Sequence, residues 1–222
     1  MQSFDVVVIG GGPACCATAA SWSLDGFAGR TGAGVRVAVV DSGIHAAHPH
    51  VGGIVDAVAI GADGQPLPLT FPDPGLSDHI GHGTAVAGAI REKAPEAALV
   101  SVRIFDGQMT ATGPALSGAI DWCAAHDIHI INLSLGTTNA AHAETLSAAV
   151  ARATTAGAIV VAAAPQPDAA WLPGALPGMV SVDADWECAR DVCRGERRDG
   201  SLRLVASAYP RPIPGVPPDL NF

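Results

Sequence analysis

The chain has few charged residues, few aromatic rings and few basic side chains. Charged residues make up 15% of its 222 positions and aromatics 5%. That is too little charge for a solvated, disordered chain and too few rings for an aromatic core. Lys and Arg number 12 against 21 Asp and Glu, a formal net charge of −9. With no basic stripe for phosphate contacts, nucleic acid is not an expected partner. The scattered acid serves solubility. No apolar run reaches the ~18 residues of a membrane span, so no membrane partner is expected. Met1 to Asp5 lack the basic start of a secretory leader, and the expected placement is cytoplasmic.

Cysteine is also sparse and irregular. The five residues Cys15, Cys16, Cys123, Cys188 and Cys193 form no even framework, which argues against a disulfide scaffold. Cys188 and Cys193 could pair or bind a metal, but no second pair completes a site. Free thiols are the expectation, with neither metal nor cofactor.

Small and aliphatic residues dominate instead: 49% of the chain is hydrophobic and 26 residues are glycine. Continuous apolar runs at Asp5–Ile9, Val35–Val40, Ala98–Phe105, Ile128–Leu135, Ala158–Ala164 and Met179–Val182 suit strands buried on both faces. Between them, Leu116, Ala119, Ile120, Cys123 and Ala124 repeat at helical spacing, as do Leu146, Ala149, Val150 and Ala153. Strands alternating with such helices predict an α/β fold with a parallel sheet covered on both sides. Cys123 then fills the apolar face of its helix. Gly61 to Ser77 reads as a surface loop, and the proline-rich end from Tyr209 to Phe222 as extended chain.

Two motifs compete for Asp41. Asp5 to Ala14 runs from a strand into Gly10-Gly11-Gly12 and an Ala-rich helix, like the opening of a flavin- or nicotinamide-binding Rossmann unit. Gly10 and Gly12 would hold the pyrophosphate and Asp41 the ribose. The third glycine of that pattern falls on Cys15, whose side chain obstructs close helix–strand packing.

The other signal has three ordered parts. Val37 to Gly43 places Asp41 at the C-terminal end of a buried strand. Asp78 to Gly88 places His82 at the mouth of a helix of small residues. Ile130 to Gly136 is a strand with a small, open end. A hydroxyl nucleophile needs an imidazole base, and the imidazole needs a buried carboxylate on its other nitrogen. Asp41 and His82 supply that pair; His79 is assigned to the loop.

These motifs resemble the subtilase family of serine peptidases, from about Val35 onward. Asp41 matches the family's Asp-Ser-Gly motif and His82 its His-Gly-Thr motif. The resemblance implies a subtilisin-like three-layer fold with a parallel central sheet, C-terminally incomplete. It also implies a peptide or protein substrate, held by Ser134, Leu135 and Gly136. Gln166 stands where the family has an oxyanion-binding asparagine. The family's serine opens a helix in a Gly-Thr-Ser turn, and no such segment follows Gln166. Ser181 is expected in a strand, Ser201 in a turn and Ser207 at a strand end. The chain is therefore expected to divide into a Rossmann-like leader (1–33), fused or misread, and a peptidase domain (34–222) lacking the nucleophile segment.

Gly43 to Val51 and Ala206 to Pro218 also resemble the short intracellular subtilases of quinohemoprotein amine dehydrogenase maturation, which remove a leader peptide. His45, His48 and His50 in the first of these stretches read as an exposed loop rather than a metal site. A catalytically dead peptide-binding homologue and a dinucleotide-binding protein are the alternatives from other classes.

Overall fold

In this computed structural model the described residues are 20–23, 29–68, 76–105, 109–165, 171–198, 201–212 and 214. The apolar runs that lie among them all become strands, because each is buried on both faces. In chain order the strands are β1 Ala20–Ser23, β2 Arg36–Asp41, β3 Asp56–Ala59, β4 Ala98–Arg103, β5 Ile130–Leu133, β6 Ile159–Ala163, β7 Val180–Asp185, β8 Val192–Arg198 and β9 Ser201–Ser207. The helices are α1 His82–Lys93, α2 Gly113–Ala124 and α3 Ala143–Thr155. One sheet contains every strand of the described residues, in the order β1-β8-β9-β7-β6-β5-β2-β4-β3.

Period-2 alternation along β2 builds the layers. Ala38 and Val40 pack with the buried faces of α2 and α3, including Leu116, Ile120, Leu146 and Val150. Val37 and Val39 face the other way, against Val86, Ala87 and Ile90 of α1. The predicted helical stripes are the buried ones, and Cys123 is completely enclosed. Burial raises its pKa well above the ordinary thiol range, so it stays a neutral core residue. Thr112 caps α2 by accepting the Ala115 N–H at 3.1 Å, with Pro114 in the first turn.

The sheet is mixed rather than purely parallel. Strands β2 to β7 and β9 pair in parallel, but β8 runs antiparallel to β9, and β1 to β8. Two residues separate β8 from β9, and a connection that short joins only antiparallel strands. Ser201 is therefore the first residue of β9, paired with Arg198, rather than a turn residue. Ser181 lies in β7 and Ser207 ends β9, as expected. Strand β8, Val-Cys-Arg-Gly-Glu-Arg-Arg, has no apolar run, so a search for continuous hydrophobic stretches misses it.

The Asp5–Ile9 strand and Gly10 to Gly12 lie outside the described residues. Of the leader, Ala20–Ser23 forms β1 at the edge of the described sheet, hydrogen-bonded to β8. We propose that residues 34–222 fold without the leader. Deleting residues 1–33 is expected to leave a cooperative unfolding transition; a product without one would count against this division.

Candidate active site

The chain reverses direction across the sheet at β2. Strands β4 and β3 lie on one side of it, and β5, β6 and β7 on the other. Ligands of open α/β sheets bind at the carboxyl ends of the strands beside such a switch point. Asp41 is the last residue of β2, and its side chain is fully buried.

Three glycine-dependent approaches bring the histidine to it. Gly43 turns the chain out of β2 with φ +106°, and a Cβ there would press on the Leu76 carbonyl oxygen at 2.9 Å. Gly81 precedes α1 with φ +96°. A Cβ on Gly83 would overlap the carbonyl oxygen of Gly43 and sit 3.1 Å from the Asp41 Cβ. Gly83→Ala is therefore expected to push α1 from the sheet and cost about 1–3 kcal/mol by overpacking. Urea unfolding checks this, and an unchanged midpoint would refute it.

With α1 in place, His82 Nδ1 lies 2.8 Å from Asp41 Oδ1 and 2.9 Å from Oδ2. The carboxylate also accepts the Ser42 backbone N–H at 2.7 Å. His82 is 34% exposed while Asp41 is wholly enclosed, so the imidazole is reachable and its partner is dry. The hydrogen bond to Asp41 raises the His82 pKa, burial opposes it, and the charges of Asp41 and Asp78 add to the rise. Among the described residues His82 makes no other side-chain hydrogen bond, and Nε2 is left without a partner.

A second acid was not singled out from sequence. Asp78 accepts hydrogen bonds from the Ser42 hydroxyl (2.9 Å), the Thr84 hydroxyl (2.6 Å) and the backbone N–H groups of Ile80, Gly81 and Thr84 (3.0, 2.7 and 2.8 Å). It closes the N-terminus of α1 and ties it to the Asp41 turn. The Ser42 hydroxyl in turn accepts the Gly83 N–H at 3.0 Å. Burial opposes ionisation of Asp78, but the donors of Thr84, Gly81 and Ser42 outweigh it and hold the pKa below the ordinary value. The signal was present: an acid just before a helix start is a capping residue.

Beyond β5, Ser134, Leu135 and Gly136 emerge half-buried, with Asn132 Nδ2 donating to Ser134 Oγ at 2.9 Å. Thr137 then exchanges two backbone hydrogen bonds of 2.8 Å with Leu172. A cavity of about 250 Å³ adjoins this segment, lined by Phe105, Met109, Leu116 and Leu135 among others. Gln166 lies outside the described residues, as do Gly10 and Gly12. A ribose cannot reach Asp41, which has no exposed surface and is bonded to His82 and Ser42.

His45 is exposed as expected, whereas His48 and His50 are half-buried around a cavity of about 320 Å³ that Arg211 and Asp78 also line. Their rings meet edge to face at 5.2 Å. Among the described residues no group of three or more His, Cys, Asp or Glu is arranged to hold a metal ion. Cys123, Cys188 and Cys193 are free thiols; Cys15 and Cys16 lie outside the described residues. Among the described residues no helix is long and apolar enough to cross a membrane.

Comparison with known proteins agrees with this geometry. Residues 32–167 match the Subtilase family, Peptidase_S8. Subtilisin Savinase of Lederbergia lenta is 31% identical over 202 residues, covering 87% of this chain and 66% of that protein. The thermostable alkaline protease of Halalkalibacterium halodurans is 37% identical over 142 residues, covering 60% of this chain and 36% of its own length. A cold-adapted subtilisin-like serine proteinase of known crystal structure superposes with a TM-score of 0.56 at 25% identity, over 71% of this chain and 57% of that one. The chain belongs to the subtilase family. It spans between 36% and 66% of the length of these two curated relatives.

Proposed function

We propose that this chain carries the acid–base half and the substrate strand of a serine endopeptidase. The supporting observation is the bond from His82 Nδ1 to the enclosed Asp41, which leaves Nε2 without a partner among the described residues on a partly exposed ring. Nε2 takes the proton of a serine hydroxyl as the hydroxyl attacks a peptide carbonyl, then passes it to the leaving amine. Asp41 holds the other nitrogen protonated and stabilises the imidazolium. Ser134 to Gly136 bind the peptide as an added strand, and the Gln166 amide serves as oxyanion donor.

No serine hydroxyl among the described residues bonds to His82. The nucleophile in this reading comes from a Gly-Thr-Ser segment outside these residues, on a longer or a second chain. We take the substrate to be a leader peptide removed in the cytoplasm. Cell fractionation tests that placement, and recovery from the medium would count against it.

Fluorophosphonate labelling tests the chemistry. The 222-residue chain is expected to bind peptide without being labelled. A chain supplied with the nucleophile segment is expected to be labelled, and to lose labelling in His82→Ala. Peptide binding with no labelling of the completed chain would favour the alternative, a peptide-binding homologue without catalysis.

A further inference from the structure

Gly136 has no side chain, and the space where one would project is filled by another residue. A Cβ on Gly136 would overlap Nε1 and Cδ1 of the Trp171 indole. The paired backbones of Thr137 and Leu172 hold Trp171 beside this strand. Gly174 anchors the same segment, since a Cβ there would overlap the carbonyl oxygen of Ala163 at the end of β6. The indole is thus fixed at the carboxyl edge of the sheet, on one face of the segment read as the peptide-binding strand.

Its Nε1 is buried and has no hydrogen-bond partner among the described residues. An unpaired buried donor is a cost to the fold. A phenylalanine would fill the space without that cost. Among the described residues the position is therefore explained by the volume the ring occupies, not by a bond it makes.

We propose that Trp171 is a specificity-determining residue, admitting Gly, Ala or Ser of a bound peptide over Gly136 and excluding larger side chains. The inference rests on Ser134 to Gly136 being the peptide-binding strand. An extended peptide lying along that strand places successive side chains on alternate faces. Those on one face meet the indole, which already occupies the volume a long side chain needs. A methyl or hydroxymethyl group fits beside the ring; a benzyl group must displace it.

Calorimetric titration of the whole chain with acetylated tetrapeptide amides tests this. The peptides are tetra-alanine and its four single Ala→Phe replacements. For the natural chain, Phe at one position is expected to weaken binding about tenfold or more, the scale on which a pocket's size discriminates. Trp171→Ala is expected to reduce that penalty to about threefold or less, and Trp171→Phe, which keeps the bulk, to retain it. Trp171→Val is a second opening variant should the alanine chain lose its near-UV circular dichroism. An equal penalty in the natural chain and the opened variants overturns the role of Trp171, as does no penalty at any position. In both cases the peptide-binding strand stands. If no peptide binds the natural chain or a folded variant, the strand reading falls and this inference with it.

Discussion

Asp41→Asn is expected to lower the turnover of a chain completed with its nucleophile by about 10⁴-fold, because an amide at that position favours the wrong imidazole tautomer. The overall geometry has no reason to change, since Asn matches Asp in shape. In the 222-residue chain the effect is read directly on His82. The hydrogen bond to Asp41 is the largest cause of its raised pKa, so the variant's His82 titrates at lower pH in an NMR experiment. An unmoved titration would mean that Asp41 does not govern the ring.

The sign of the pH dependence follows from the same shift. A histidine whose folded pKa is raised stabilises the fold when protonated. That contribution is complete below the ordinary value of 6.5 and is lost as pH rises through the folded pKa. General-base action needs the neutral ring. The acid limb of kcat/KM in the completed enzyme therefore lies above pH 6.5, and Asp41→Asn moves it down.

Asp78→Ala is expected to be the most destabilising single change at the site, by about 3 kcal/mol. Five donors lose their acceptor at once, and hydrogen bonds to an ionised group are worth about 1.5–3 kcal/mol each without adding fully. Urea unfolding measures the loss, and a change under about 1 kcal/mol, the size of an ordinary cap, would sink the account. Because the folded pKa of Asp78 is depressed, its stabilisation is present above the unfolded carboxylate pKa of about 3.9. It is lost as pH falls through the lower folded value. The natural chain's unfolding midpoint should fall in this acid range, and the Asp78→Ala midpoint should fall less.

Much of the fold was legible because buried parallel strands are written as unbroken apolar runs. Val35–Val40, Ala98–Phe105, Ile128–Leu135 and Ala158–Ala164 each enclose a strand to within a few residues. The two helical stripes were readable for the same reason: their period matches the face they bury. Strands β8 and β3 were not legible. The alternating residues of β3 acquire meaning only beside β4, distant in the chain, and the polar residues of β8 only in the hairpin it forms with β9, two residues on. Ser201 was misread because only its hairpin pairing with Arg198, three residues before it, makes it a strand residue.

At the site, the sequence by itself determined which residues stand there: a carboxylate ending a buried strand, a histidine opening a small-residue helix, and the open strand end Ser134–Gly136. Those identities follow from local pattern and order. The tertiary structure decided the arrangement. Asp78 became the acceptor joining two segments only when Gly43 and Gly83 let α1 close on β2. Trp171, a residue with no motif around it, came to lie on Gly136. Contacts between residues 35 or 41 positions apart depend on the close approach of backbones, and a chain read in one dimension carries the residues of such a contact without the contact itself.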